Sequence, residues 1–194
     1  PQASLGVVFD DVGLTHAQGA RARAALLDFA RSKAAAEVVL LATTSGREQW
    51  PRPIGEEPAT LAGVLGRLSG LARPVASAPM TDSEACLIHV AHDGPTLERV
   101  KARYVATSGA GEALRSGAGP LVQAEAAGTC LRAIAHARLA LTELVRATAA
   151  LASRAGRRAV LLVSARFLDD DALPEQRRLI EASRSANVTL HFVD

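Results

Sequence analysis

The run VVFDDVGLT, residues 7 to 15, is where this sequence comes nearest to chemistry. An apolar stretch climbs to two adjacent carboxylates, Asp10 and Asp11, then turns through Gly13 to Thr15. Open α/β sheets bind ligands outside the carboxyl ends of their strands, so these carboxylates stand where a cation or a nucleophile would be placed. A hard cation such as Mg²⁺ takes oxygen ligands from carboxylates and hydroxyls. A covalent phosphoryl-transfer site needs one aspartate to attack and an acid to protonate the leaving group. Both chemistries are short of groups here. Two residues after Asp10 stands Val12, two after Asp11 stands Gly13, and the next side chain, Leu14, is inert. The structural alternative is that either aspartate accepts backbone N–H groups in the turn.

Other polar residues fall at comparable places. VVLLATTSG ends on Thr44 and AVLLVSA on Ser164. Asp169, Asp170 and Asp171 precede a helical segment, where they either lend oxygens to a site or cap the helix and favour its dipole. His89 and His92 are three apart, whereas zincins space their histidines four apart with a glutamate beside the first. Both read as partly exposed helix residues, and His16, His136 and His191 as isolated. SGAGEALRSGAGP lacks the Gly-Lys-Ser/Thr of a phosphate loop. Cys86 and Cys130 match no metal spacing. They read as two buried thiols, or as a disulfide if the fold brings them together.

The composition bounds what can position these groups. A chain of 194 residues, 48% apolar, suits one well-buried domain. A net charge of +2, with scattered arginines and 3% aromatics, gives no footprint for nucleic acid. The apolar runs fall short of the roughly 20 residues that a membrane-spanning helix needs. The chain contains no signal peptide and begins at Pro1, which is compatible with a leader removed upstream.

The elements alternate. LGVVFDD (5–11), AEVVLLATTSG (36–46) and RRAVLLVSA (157–165) are continuous apolar runs of the kind found in buried parallel strands, and NVTLHFVD (187–194) closes the chain as another. Between them, 16–33 places Ala20, Ala24, Leu27 and Ala30 at helical spacing, and 58–72 does the same with Leu61, Leu65, Leu68 and Leu71. Two prolines restrict 50–54 to a short edge strand. Within 73–128, Thr81 and Glu84 have the spacing of a capping box, 95–106 is amphipathic, and the glycine-rich 108–120 reads as a mobile loop. Residues 121–154 and 173–186 read as helices. This order predicts a single α/β domain, 1–194, with an insert at about 73–128. Its sheet is doubly wound and mostly parallel, with helices on both faces and a short antiparallel edge strand. Right-handed crossovers put the loop after the first strand beside the loop after Ser164.

In that order the segments resemble a von Willebrand factor type A domain, and more narrowly the related domains abundant in Acidobacteria. VVFDDVGLT is similar to the first strand and the start of the metal site. VVLLATTSG with PIGEEPATLAGVLGRL is similar to the second strand, edge strand and leucine-rich helix. MTDSEACLIHVAHDGPTLERVKARYV resembles an insert of the bacterial subgroup, AGRRAVLLVSARF one of its strands, and VTLHFVD its closing strand. The resemblance covers nearly the whole chain.

The resemblance implies a metal-ion-dependent adhesion site built from Asp-x-Ser-x-Ser, a Gly-Thr-x-Leu threonine and a Thr-Asp-Gly aspartate. Asp10 matches the first aspartate and Thr129 of GTCLRAI the threonine. Val12 and Leu14 replace both serines, and Ser164 replaces the second aspartate. The implied site is therefore degenerate and no cofactor is expected. A partial site for Mg²⁺ or another divalent cation would use Asp10, Asp11 and Thr129, with Thr15 or the 169–171 run as substitutes. The resemblance also implies a bacterial protein acting outside the cytoplasm or within a larger assembly, non-catalytic, that binds or scaffolds a protein partner. Docking would use the crevice residues Asp10, Asp11, Gly13, Thr15, Thr44, Ser164, Asp169 and Asp170, or the insert. The enzyme alternative is a haloacid dehalogenase-like phosphatase, with VVFDDVGLT, ATTSG and DDDA as its motifs; it lacks the acid at Val12 and a well-placed lysine, since Lys33 and Lys101 are the only two.

Overall fold

A computed structural model describes residues 3–30, 38–50, 58–73, 80–108, 112–165 and 173–193. In chain order its elements are β1 (Ala3–Phe9), α1 (His16–Ala30), β2 (Val38–Thr43), β3 (Gln49–Trp50), α2 (Pro58–Arg67), α3 (Asp82–His89), α4 (Gly94–Ser108), α5 (Glu112–Leu151), β4 (Arg157–Val163), α6 (Pro174–Ala186) and β5 (Val188–Val193). The sequence predicts one domain with an insert. The chain divides into two compact units, Pro1–Pro74 with His136–Asp194, and Val75–Ala135, the second lying close to the expected insert. The second unit reaches past residue 128 because the first half of α5 belongs to its core.

The first unit is a five-stranded sheet in the order β3-β2-β1-β4-β5. β1 pairs in parallel with β2 and β4, and β4 in parallel with β5. This is the doubly wound, mostly parallel α/β fold that the alternating strand and helix segments predict. The two residues of β3 pair antiparallel with β2. The rest of the expected edge strand, 51–54, lies outside the described residues.

Both faces of β1 are buried, which explains its unbroken apolar run. On one face Val7, Phe9, Leu41 and Val163 pack with Leu26 of α1 and with Val64 and Leu65 of α2. On the other, Gly6 leaves room for Leu151 of α5: a Cβ there would stand 3.5 Å from a Leu151 methyl and 3.4 Å from one of Val160.

Two helix faces differ from the sequence expectation. In α1 the buried residues are Gly19 and Leu26, while Ala24 is exposed. The helix is rotated because its closest approach runs through Gly19, where a Cβ would lie 2.3 Å from the Gly70 backbone nitrogen. α2 stops at Arg67 rather than 72, so Leu68 is buried at 1% and Leu71 is 43% exposed. The chain must leave the helix there to run alongside the 11–15 loop. Leu71 N–H donates to Asp11 O (2.7 Å) and Ala72 N–H to Leu14 O (2.9 Å).

The second unit consists of α3, α4 and residues 112–135 of α5. Met80, Ala85, Ile88, Val100, Val122, Ala126 and Cys130 form its core. The capping box at α3 is formed as its spacing predicts, with Thr81 and Glu84 each accepting the other's backbone N–H. His92 is not helical; it sits in the turn after α3 with φ 54°. The glycine-rich 112–120 is not a loop but the start of α5. Pro120 removes one helical N–H, yet Ala118 and Val122 beside it are 0% exposed, so packing carries the helix through. Cys86 and Cys130 form a disulfide, with Cα atoms 4.8 Å apart, rather than two free thiols.

Among the described residues no helix is long and apolar enough to cross a membrane.

Candidate functional site

The site lies in the first unit, at the carboxyl ends of three paired strands. Phe9 of β1 stands opposite Thr43 of β2 and Val163 of β4. One residue further on, the three chains present Asp10, Thr44 and Ser164. The register therefore brings together residues that the sequence separates widely. Asp10 N–H donates to Val163 O (2.9 Å) and Thr44 N–H to Phe9 O (3.1 Å), which closes the three strand ends on one another.

Asp10 is 0% exposed, and its carboxylate is surrounded by groups that can donate to it. Its Oδ1 accepts from Gly13 N–H at 3.0 Å and lies 2.9 Å from the Thr44 hydroxyl. Its Oδ2 accepts from Ser164 Oγ at 2.5 Å. The Nε2 of His136 lies 2.8 Å from both carboxylate oxygens. Facing an acceptor-only group, that nitrogen must carry the proton. Burial pushes the Asp10 carboxyl up, but the His136 hydrogen bond and charge, with Ser164 and Gly13, outweigh it and hold the group below its ordinary 3.8. The ionised form is thus favoured by folding. Its contribution to stability is present above pH 3.8 and is lost as the pH falls below that value through the lower folded one. We expect acid denaturation curves to show this loss in the wild type and not in Asp10→Asn; parallel curves would show that Asp10 is not the group responsible.

Asp11 is 4% exposed and ties down the turn after β2. It lies 2.9 Å from the Thr44 hydroxyl and accepts from Ser45 N–H at 2.9 Å, and the Ser45 hydroxyl donates to its Oδ2. Thr44 has a single hydroxyl proton, so it donates to one of the two aspartates at a time, while its oxygen accepts from Val12 N–H (3.4 Å).

Gly13 is required here for space. A Cβ on it would stand 2.1 Å from Asp10 Oδ2 and 2.7 Å from the His136 ring. Gly13→Ala is expected to push the imidazole off the carboxylate and destabilise the fold by about 3 kcal/mol, the upper end of overpacking costs. Urea unfolding checks this, and a change below about 0.5 kcal/mol, the usual surface value, would mean the ring has room to move.

The other expected site residues are placed differently. Thr15 caps α1: its N–H and hydroxyl donate to Gln18 Oε1 (2.9 and 2.8 Å), and Gln18 N–H donates back to the Thr15 hydroxyl (3.3 Å). The T-x-x-Q spacing of a capping box was there to be read. Thr129 lies inside α5, where its hydroxyl accepts from Arg132 at 3.0 Å; the α5 residue that meets Asp10 is His136. Leu14 is 4% exposed and belongs to the core. Asp169, Asp170 and Asp171 lie outside the described residues.

His136 is the residue that sequence reasoning missed. It stands 126 positions from Asp10, with no motif around it. The available signal was its place on a helix stripe, between the buried Ala133 and Ala140 at i−3 and i+4.

The geometry does not form a hydrolytic triad. In such a triad the serine contacts the imidazole and the carboxylate orients that ring; here Ser164 donates to the carboxylate itself. Among the described residues no group of three or more His, Cys, Asp or Glu side chains is placed to hold a metal ion. No protein-family model, curated protein or solved structure matches the chain.

Proposed function

We propose that this chain is a non-catalytic, von Willebrand factor A-like binding or scaffolding domain that engages a protein partner without a metal ion. One observation carries the reading. The buried carboxylate of Asp10 is saturated by donors from its own chain: Gly13 N–H, Ser164, His136 and, in turn with Asp11, Thr44. A divalent cation coordinated by Asp10 would meet the hydrogens of His136 and Ser164 where it needs lone pairs. His136 supplies the polarised N–H, and when protonated the positive charge, that the cation would have supplied. The same saturation argues against Asp10 as a phosphatase nucleophile, because its oxygens are committed and 0% exposed. The Cys86–Cys130 disulfide supports a protein working in an oxidising compartment outside the cytoplasm; the bacterial reading rests on the resemblance alone.

The test is co-precipitation of the tagged chain from its native cells with EDTA or with Mg²⁺. The reading expects the same partner in both. A partner held only with Mg²⁺ would favour a cation-dependent adhesion module. Turnover of p-nitrophenyl phosphate that is lost in Asp10→Asn would replace both readings with a phosphatase.

A further inference from the structure

We propose that the first unit also holds a binding site for a small apolar carboxylate of the medium-chain fatty acid class. The site is the cavity between α1 and the sheet, and it does not depend on the docking reading above. Its volume is about 470 Å³, within the roughly 300–1,000 Å³ of small-molecule sites. The walls are apolar: Ala25 and Phe29 of α1, Leu161 and Val163 of β4, and Val193 of β5. Val193, at the end of the edge strand β5, lines the cavity and is 49% exposed.

The polar groups of the cavity decide the head group. Gln18 and Arg21 both line it, three residues apart and so on one side of α1. The Gln18 Oε1 is occupied by the N–H and hydroxyl of Thr15, which fixes the orientation of the amide. Its NH₂ is left without a partner among the described residues, and Arg21 makes no hydrogen bond or ion pair among them. Ser164, which also lines the cavity, donates its hydroxyl to Asp10. Among the described residues two uncommitted groups thus remain beside an apolar chamber, and both only donate. The complementary head is one that only accepts, and a carboxylate matches both the charge of the guanidinium and the number of donors. The apolar walls take the alkyl tail.

Calorimetry on the full chain tests this with decanoate, kept below its micelle concentration, and with decanol as the uncharged control. Decanoate is expected to bind saturably and more tightly than decanol. Arg21→Ala should weaken decanoate about tenfold, the value of one charge-assisted hydrogen bond, and leave decanol unchanged. Ala25→Trp fills the chamber from an exposed helix position and should abolish both. Circular dichroism and an unchanged melting temperature establish that each variant is folded. The proposal is overturned if decanoate gives no saturable heat, if Ala25→Trp binds it as well as the wild type, or if decanol binds as tightly. An apolar peptide that binds there where decanoate does not would assign the cavity to a protein segment and equally overturn it.

Discussion

Replacing His136 with alanine should destabilise the fold by about 3 kcal/mol, the cost of leaving a buried charged acceptor without one of its hydrogen-bond donors. The side chains of Asp10 and His136 are 0% and 14% exposed, so the missing contact falls at a largely buried carboxylate. Ser164, Gly13 and Thr44 would still donate, but none of them reaches both carboxylate oxygens as His136 does. The loss should therefore fall largely on the uncompensated carboxylate. Adding Asp10→Asn to His136→Ala removes that charge and should recover part of the stability, which makes the pair strongly non-additive. Urea unfolding of the two single variants and the double variant measures the coupling. A loss below about 1 kcal/mol for His136→Ala, as for exposed ion pairs, would show that His136 is incidental to Asp10.

The second large effect belongs to the other unit. The Cys86–Cys130 bond closes a span of 44 residues, Val75–Ala135 contains both ends, and Cys130 is 0% exposed. Opening a loop of that length costs about 4 kcal/mol in the chain-entropy account. A helical unit of this size has a small core with little stability to spare. The double variant Cys86→Ala/Cys130→Ala, or reduction of the wild type, should unfold residues 75–135 at a much lower denaturant concentration. Hydrogen exchange of α3 and α4 reads this directly. Protection unchanged after reduction would mean that the apolar cluster around Val100 and Val122 holds the unit alone.

The parallel sheet could be read from the sequence because β1, β2 and β4 are buried on both faces and so appear as unbroken apolar runs. Helix faces were harder to read. In α1 the approach to the next segment is set by Gly19 against Gly70, and a glycine contributes nothing to an apolar count. At Pro120 local breaker residues point to a loop, while burial of Ala118 and Val122 keeps α5 continuous. The site was half visible. Asp10, Asp11, Thr44 and Ser164 each end an apolar strand, and right-handed crossovers bring such ends together. Their roles depended on donors that spacing does not show: the Gly13 amide, which needs the absence of a Cβ, and His136, carried in from a helix 126 residues away. Thr129 matched the resembled motif in letters, but the α5 helix sets its hydroxyl against Arg132.

The central claim is that protons on His136 and Ser164 stand at Asp10 where a cation would. Calorimetric titration of the full chain with Mg²⁺, Mn²⁺ and Ca²⁺, alongside Asp10→Ala, tests it most directly. The account predicts no saturable heat and no rise in melting temperature with any of the three ions. Saturable binding by the wild type that disappears in Asp10→Ala would contradict it.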